Sequence, residues 1–156
     1  MRHVLTTATI LLVLLPLAVS ACREDSPESR LRAALSRGET AVEAGDLATL
    51  KGLISEEYAD GSGRDQRAVL GLLRYHFLRH DTIHLLRRVR EITFPEPGSA
   101  RASLFVAMAG EPILGAEDLP RLQADLHRFD LMLREEAGAW RVTRADWRRA
   151  AASDFF

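Results

Sequence analysis

The stretch of sequence that decides the fold is residues 129–142, FDLMLREEAGAWRV. Apolar residues occupy every second position before a turn, at Phe129, Leu131 and Leu133. The turn covers residues 135–138, and the alternation resumes with Trp140 and Val142. Because side chains in a strand point alternately to opposite faces, this pattern predicts a β-hairpin with one apolar face. Its two strands are predicted over residues 124–134 and 140–147.

A second hairpin is predicted just before the first. Residues 82–94 and 100–109 are rich in apolar and β-branched residues, and PEPGS at residues 95–99 is a turn. The apolar residues of the earlier strand change parity, which predicts a bulge near Arg87 and Arg88. Residues 110–122 contain Pro112 and Pro120 and are predicted to be a long connection with one helical turn at residues 117–122.

Three helices are predicted at the start of the domain. Their capping residues are Ser26, Asp46 and Asp65, and Gly45 ends the first helix. The third helix should end near residues 81–83 and carry one apolar stripe, with two histidines on the same side: Val69, Leu70, Leu73, Phe77, His76 and His80. Helices followed by hairpins predict an α+β fold with an antiparallel sheet.

Several local motifs occur together in an order that resembles a known superfamily. They are AVEAGDLATL at residues 41–50, YADG at residues 58–61, and the hairpin of residues 129–142 with its Gly-x-Trp-x-Val pattern. This order resembles the nuclear transport factor 2-like superfamily, also called SnoaL-like, over roughly residues 28–148. The resemblance implies a cone-shaped, curved antiparallel sheet packed on N-terminal helices, with an open mouth. Residues 110–122 depart from the family pattern.

The N-terminus has the plan of a secretory signal. Arg2 precedes a short apolar stretch, and VSAC at residues 19–22 resembles the bacterial lipobox. That resemblance implies that Cys22 receives a diacylglycerol with fatty acyl chains such as palmitate, and that residues 1–21 are removed. Residues 22–27 are then a lipidated tether. An uncleaved anchor helix and a secreted protein with a chance cysteine are the alternatives.

Lipidation would place the protein in the cell envelope. Arg23 follows Cys22, which in the family's sorting rule points to the outer membrane, facing the periplasm, where the envelope has two membranes. Removal of residues 1–21 takes away Arg2 alone among the charged residues and leaves 20 basic against 22 acidic side chains, a net charge of −2. This charge argues against a nucleic-acid partner. The membrane partner is predicted to be engaged through the lipid.

Cofactor and disulfide chemistry have no support in the sequence. Cys22 is the one cysteine in the chain, so an intrachain disulfide and a cysteine-based metal cluster are excluded. Nucleophile-elbow, phosphate-loop and dinucleotide motifs are absent, so no cofactor is predicted. Residues 149–156 are predicted to be a C-terminal tail, either loose or folded back as a clasp.

The cone is compatible with two kinds of site, one for ligand binding and one for catalysis. For ligand binding, large apolar residues are predicted to line a pocket, against the alternative of ordinary core packing: Phe77, Leu104, Phe129 and Trp140, with Phe105. For catalysis, Asp60 or His76 would be a general base. The resemblance to cone-shaped isomerases implies a carboxylate base, here Asp60, with a tyrosine, here Tyr58, as oxyanion donor. The glycines after Asp60 suit a solvated turn equally well.

Two histidines raise the question of a metal site. His76 and His80 stand four residues apart, but a zinc site needs three or four ligands, so no metal is predicted. Three functional hypotheses follow. The first is a non-catalytic envelope lipoprotein that binds a small apolar molecule or an envelope protein. The second is an acid–base enzyme of the isomerase or dehydratase type, and the third is a periplasmic metal-handling module. Superfamily members dimerise through the exposed sheet face, so a homodimer is also expected.

Overall fold

A computed structural model describes residues 26–156. The predicted signal peptide, Cys22 and most of the tether lie outside the described residues. Three helices come first: α1 (Pro27–Glu43), α2 (Leu47–Leu53) and α3 (Gln66–Arg79). Four strands follow, with a short helix before the third: β1 (His84–Glu96), β2 (Ser99–Ala109), α4 (Leu119–Leu122), β3 (Asp125–Glu136) and β4 (Ala139–Arg149). The predicted α+β class is confirmed.

The helices begin where the capping residues predict. Ser26 Oγ accepts a hydrogen bond from the Ser29 N–H at 3.1 Å. The Asp46 carboxylate accepts a hydrogen bond from the Thr49 N–H at 3.0 Å, and the Asp65 carboxylate accepts one from the Ala68 N–H at 2.8 Å. These acceptors satisfy N–H groups that have no partner within a helix. Among residues 26–156, no helix combines the length and the apolar character needed to cross a bilayer.

The four strands form one antiparallel sheet in the order β1-β2-β3-β4. The β3–β4 turn is made by Ala137 and Gly138, which both have positive φ, at 49° and 77°. Two such residues give a turn whose twist matches that of the flanking strands. The sheet that the two hairpin patterns predict is therefore confirmed.

The bulge in β1 lies later than the sequence pattern predicts. The register shifts between Val89 and Glu91 rather than at Arg87 and Arg88. The extra residue brings Val89 and Ile92 onto the same face, where both pack on the main core. Leu86 lies on the other face and packs with a separate cluster. The register of β1 shifts again between Thr93 and Glu96. A third shift, between Met132 and Leu133 against β4, bends the opposite edge of the sheet.

The main core lies between the concave face of the sheet and α1. Its buried residues come from α1 and from alternating positions of β2, β3 and β4: Leu31, Ala34, Leu35, Ala100, Ala102, Leu104, Leu133 and Trp140. Leu31 is fully buried. Ala102 and Leu104 of β2 both face this core.

A smaller core forms on the convex face of the sheet. Phe105 and Ala107 point away from the cone and are covered by Leu119 of α4 and by Phe155 near the C-terminus. The rings of Phe105 and Phe155 lie 5.7 Å apart, and Arg88 donates a hydrogen bond to the Phe155 carbonyl. The C-terminal residues are therefore a clasp, the second of the two predicted arrangements, and Phe105 does not line the cone.

The clasp can be tested with two adjacent phenylalanines. Phe155 is 2 % exposed and Phe156 is 72 % exposed. We expect Phe155→Ala to lower the free energy of unfolding by about 3 kcal/mol, because it empties a buried ring site. Phe156→Ala should change it by less than about 0.5 kcal/mol. Urea denaturation followed by circular dichroism measures both, and equal effects of the two variants would contradict a buried clasp.

Candidate functional site: an apolar cavity in the cone

A cavity of about 570 Å³ lies between the concave face of the sheet and the helices. Small-molecule sites in proteins commonly measure about 300–1,000 Å³. Its wall is mainly aliphatic and aromatic, and residues from α1, α2, α3 and all four strands contribute, among them Leu35, Leu53, Leu73, Leu104, Phe129, Leu131, Trp140 and Val142. The arrangement suits a ligand with a substantial apolar body.

Three of the four residues proposed for ligand binding are brought together here. Leu104, Phe129 and Trp140 line the cavity, and Trp140 is 3 % exposed. The indole Nε1–H of Trp140 is buried without a hydrogen-bond partner among residues 26–156.

Phe77 does not line the cavity but packs beside the backbone of Gly45. The reason is the helical period: α3 presents Val69, Leu72, Leu73 and His76 to the cavity, and Phe77 falls at the margin of that stripe. The margin faces Gly45, in the turn between α1 and α2, so Phe77 packs there instead of contacting a ligand.

An ion pair forms one side of the cavity wall. Arg87 Nε of β1 lies 3.0 Å from Glu39 Oε2 of α1, and Arg87 also donates to Ser36 Oγ at 3.0 Å. Both charged side chains are mostly buried, at 17 % and 25 % exposed. The pair ties α1 to β1 and leaves this side of the cavity with no net charge. The sequence pattern does not predict this pair, because Glu39 and Arg87 are 48 residues apart in the chain.

The mouth of the cavity is polar. Met108 and Asp125 are register partners at the end of β2 and the start of β3, and Val106 and His127 form the next pair inward. His76 of α3 reaches this rim, with Nε2 3.2 Å from Met108 Sδ. Asp125 and His127 were missed as site residues, although they share the parity of Phe129 and Leu131, which was visible in the sequence.

Burial lowers the pKa of His76, and the neighbouring His80 lowers it further, while the charge of Asp125 acts in the opposite direction. His76 is therefore held toward its neutral form. A neutral imidazole at the mouth can accept a proton or a hydrogen bond from a bound molecule.

Asp60 does not line the cavity, and its carboxylate has a structural role in the loop that contains it. Its carboxylate accepts from the Arg64 guanidinium at 2.8 Å and from the backbone N–H groups of Ser62 and Arg64 at 2.9 and 3.1 Å. Burial opposes ionisation, but these bonds outweigh it and lower the pKa of Asp60 to about 2. A general base in a cone-shaped isomerase needs the opposite shift.

Tyr58 contributes its ring to the cavity wall and its hydroxyl to the same network. The hydroxyl donates to Asp60 Oδ2 at 3.3 Å. Burial, together with the charge and hydrogen bond of Asp60, raises the pKa of Tyr58 to about 12. The hydroxyl is thus engaged by Asp60 and is not available as a free oxyanion donor.

The two histidines proposed as metal ligands lie side by side, with ring centroids 4.3 Å apart. His84 belongs to β1, as the sequence pattern predicts. Within residues 26–156, no group of three His, Cys, Asp or Glu side chains is arranged to hold a metal ion. The metal-handling hypothesis therefore lacks a third ligand in the part of the chain that the structure describes.

Several solved structures superpose on this architecture. A protein of Bdellovibrio bacteriovorus, Bd1075, superposes with a TM-score of 0.64 at 8 % identity, over 78 % of this chain and 40 % of its own. A ketosteroid isomerase-like protein of Erwinia carotovora gives a TM-score of 0.60 at 12 % identity, over 83 % of this chain and 98 % of its own. An NTF-2 like protein of unknown function from Silicibacter pomeroyi gives a TM-score of 0.59 at 12 % identity, over 79 % of this chain and 95 % of its own.

The chain has the nuclear transport factor 2-like fold. The predicted cone-shaped sheet on N-terminal helices is confirmed by these superpositions. No protein-family model matches the sequence, and no curated protein does. At such low identities the likeness concerns the fold alone, so the site must be interpreted from its own residues.

The structural role of Asp60 predicts a pH dependence. Its pKa in the folded protein lies below the ordinary value of 3.8. Stabilisation by the carboxylate is therefore present at neutral pH and is lost as the pH falls from about 5 toward 2. We expect Asp60→Asn to be less stable than the parent at pH 7, with the difference shrinking toward pH 3.

Urea denaturation at both pH values measures the difference between parent and variant. Asp46→Asn is a suitable control, because Asp46 also has a lowered pKa but lies at the exposed start of α2. A destabilisation by Asp60→Asn that is the same at pH 7 and pH 3 would contradict the assignment of a low pKa to Asp60.

Proposed function

We propose that this domain is a non-catalytic binding module that takes a small molecule with an apolar body into its cone. The observation that carries the proposal is the cavity of about 570 Å³, whose wall holds Leu104, Phe129, Leu131 and Trp140. Filling such a space with a ligand removes apolar surface from water, at roughly 25 cal/mol per Å². The polar rim would then orient the part of the ligand that remains at the mouth.

The acid–base alternative is the weaker candidate. Asp60 is held as an ion-paired carboxylate outside the cavity, and the Tyr58 hydroxyl is bonded to it. His76 is the remaining candidate base, since it lines the cavity and burial lowers its pKa. Nε2 of His76, however, lies against Met108 Sδ rather than in open space. A binding role needs none of these groups to react.

The proposal includes export and a lipid anchor at Cys22. Cys22 precedes Ser26, the cap of α1, by four residues. An extended tether of that length spans about 14 Å at most, so the domain would sit close to the lipid surface. Location in the outer membrane, facing the periplasm, follows the sorting rule suggested by Arg23. The lipid, rather than surface charge, would hold the protein there.

A homodimer through the convex face of the sheet is also part of the proposal. Its support is a banded charge pattern on that face. Arg128 and Arg148 are register partners on β3 and β4, and Asp130 and Asp146 form the next pair on the same face. A partner sheet shifted by one such row would set arginines against aspartates. An envelope protein of complementary charge is the other candidate partner for this surface.

Occupation of the cavity can be tested with one substitution on each face of β2. Val106 lines the cavity, whereas Arg101 is exposed on the convex face. We expect Val106→Trp to lower the affinity for a neutral apolar fluorophore, N-phenyl-1-naphthylamine, by about tenfold or more, because the indole occupies the space. Arg101→Trp introduces the same side chain outside the cone and should leave the affinity unchanged.

Fluorophore titration measures both affinities, and circular dichroism shows whether each variant is folded. Saturable binding that is equally strong in both tryptophan variants would place the fluorophore outside the cone. Failure of the parent protein to bind the fluorophore would count directly against an apolar binding module.

The anchor is tested separately. We expect the protein isolated from membranes of a lipoprotein-processing bacterium to start at Cys22 and to carry the added mass of acyl chains. Cys22→Ala should carry no acyl mass and should keep residues 1–21, because cleavage follows lipidation of the thiol. An intact N-terminal methionine in the isolated protein, found by mass spectrometry, would overturn the lipoprotein assignment while leaving the cavity proposal in place.

A further inference from the structure

The charges that line the cavity do not cancel. Three formally charged side chains are part of the wall: Glu39, Arg87 and Asp125. Glu39 and Arg87 neutralise one another at 3.0 Å. Asp125 takes part in none of the ion pairs formed among residues 26–156. The wall therefore holds one uncompensated negative charge.

That charge is located at the rim. Asp125 is the first residue of β3 and is exposed, and its register partner Met108 contacts His76 at the mouth. Asp125 shares the concave parity of Phe129 and Leu131, which lie farther inside the cavity. A ligand whose apolar body lies on Phe129 and Leu131 would therefore bring its outer end next to the Asp125 carboxylate.

The aromatic lining of the interior receives the apolar body of the ligand and does not repel a cation at the rim. Five aromatic side chains line the cavity: Tyr58, Tyr75, Phe129, Trp140 and Trp147. Aromatic faces carry partial negative charge and attract cations, whereas they give no comparable attraction to anions. Arg64 already lies over the Trp147 ring at 4.5 Å. An anionic head group would meet repulsion from Asp125, with the Arg87 guanidinium engaged by Glu39. Arg149 is the register partner of His127 near this rim, but it does not line the cavity.

From this distribution of charge we infer that the ligand is an amphipathic amine, with a cationic head at Asp125 and an apolar body in the cone. The inference rests on the proposed binding function and specifies the chemical class of the ligand. Free fatty acids and other anionic amphiphiles are disfavoured. Uncharged apolar molecules should bind with intermediate affinity, because they gain burial without the interaction at the rim.

Three probes with ten carbon atoms each separate these classes: decylamine, decanol and decanoate. They are compared by displacement of N-phenyl-1-naphthylamine below their micelle concentrations. The titrations are run at pH 8, where the amine is charged and ordinary imidazoles are neutral. We expect decylamine to bind about tenfold more tightly than decanoate, with decanol between them, since a charge contact at an exposed rim is modest.

Asp125→Asn should reduce the preference for decylamine over decanoate to less than about threefold, while Asp125→Glu should retain it. Glu96→Gln is the matched control, because Glu96 is exposed at the opposite end of β1 and does not line the cavity. It removes the same charge from the chain and should leave the preference unchanged.

The outcomes distinguish the inference from the function on which it rests. Equal binding of the three probes, tighter binding of decanoate, or a preference that survives Asp125→Asn would overturn the amine assignment and leave the binding function intact. A parent protein that binds neither the fluorophore nor any probe would overturn both. If Glu96→Gln also abolishes the preference for decylamine, the preference depends on the overall charge of the protein. The role assigned to Asp125 would then be wrong.

Discussion

The structure depends on one requirement: the apolar concave face of a four-stranded sheet must be covered by helices that are too few to fill it. Four strands at about 4.8 Å spacing place the outer strand axes about 14 Å apart. One helix with its side chains is about 10 Å across. Helix α1 therefore covers only part of the face, where Leu31 and Leu35 meet Leu133 and Trp140. The short α2 and the half-exposed α3 span the remainder and leave a cavity beneath them.

The curvature of the sheet and the cavity have a common origin in register shifts at both edges of the sheet. The shift at Val89 and Glu91 bends β1, and the shift opposite Met132 and Leu133 bends β4. Both edges turn toward α1, so the sheet encloses space instead of packing flat. The Arg87–Glu39 pair then fixes one edge to α1 just beside the bulge in β1.

Local signals in the sequence predicted the positions of the helices and strands well. The features that they did not predict depend on long-range packing. Ser26, Asp46 and Asp65 cap helices because capping depends only on neighbouring N–H groups. The bulge position depends on which residues of β2 oppose β1, and parity within β1 alone could not fix it. Phe105 is apolar and on a predicted strand, but it lies outside the cone because α4 and the C-terminus fold over it.

Asp60 shows how a local preference can override a functional expectation. A carboxylate before a Gly-Ser-Gly sequence is well suited to accept hydrogen bonds from the next few backbone N–H groups. It does so with Ser62 and Arg64, and the guanidinium of Arg64 completes the set. Each of these bonds favours the charged form, so the residue type that an isomerase would use as a base is here a loop organiser. The sequence allowed both interpretations, and the partners of Asp60 separate them.

The two ends of α1 lie at opposite ends of the cone, and the second end is close to the cavity mouth. Near its start, Arg30 contacts Glu135 beside the β3–β4 turn. Near its end, Glu43 accepts from the Leu85 N–H at 2.8 Å, close to the rim. The 17 residues of α1 span about 25 Å between these points. If Cys22 carries the anchor that we propose, the turns of the sheet face the lipid and the mouth opens away from it. A ligand would then enter from the aqueous side, and the anchor would position the cone without supplying its contents.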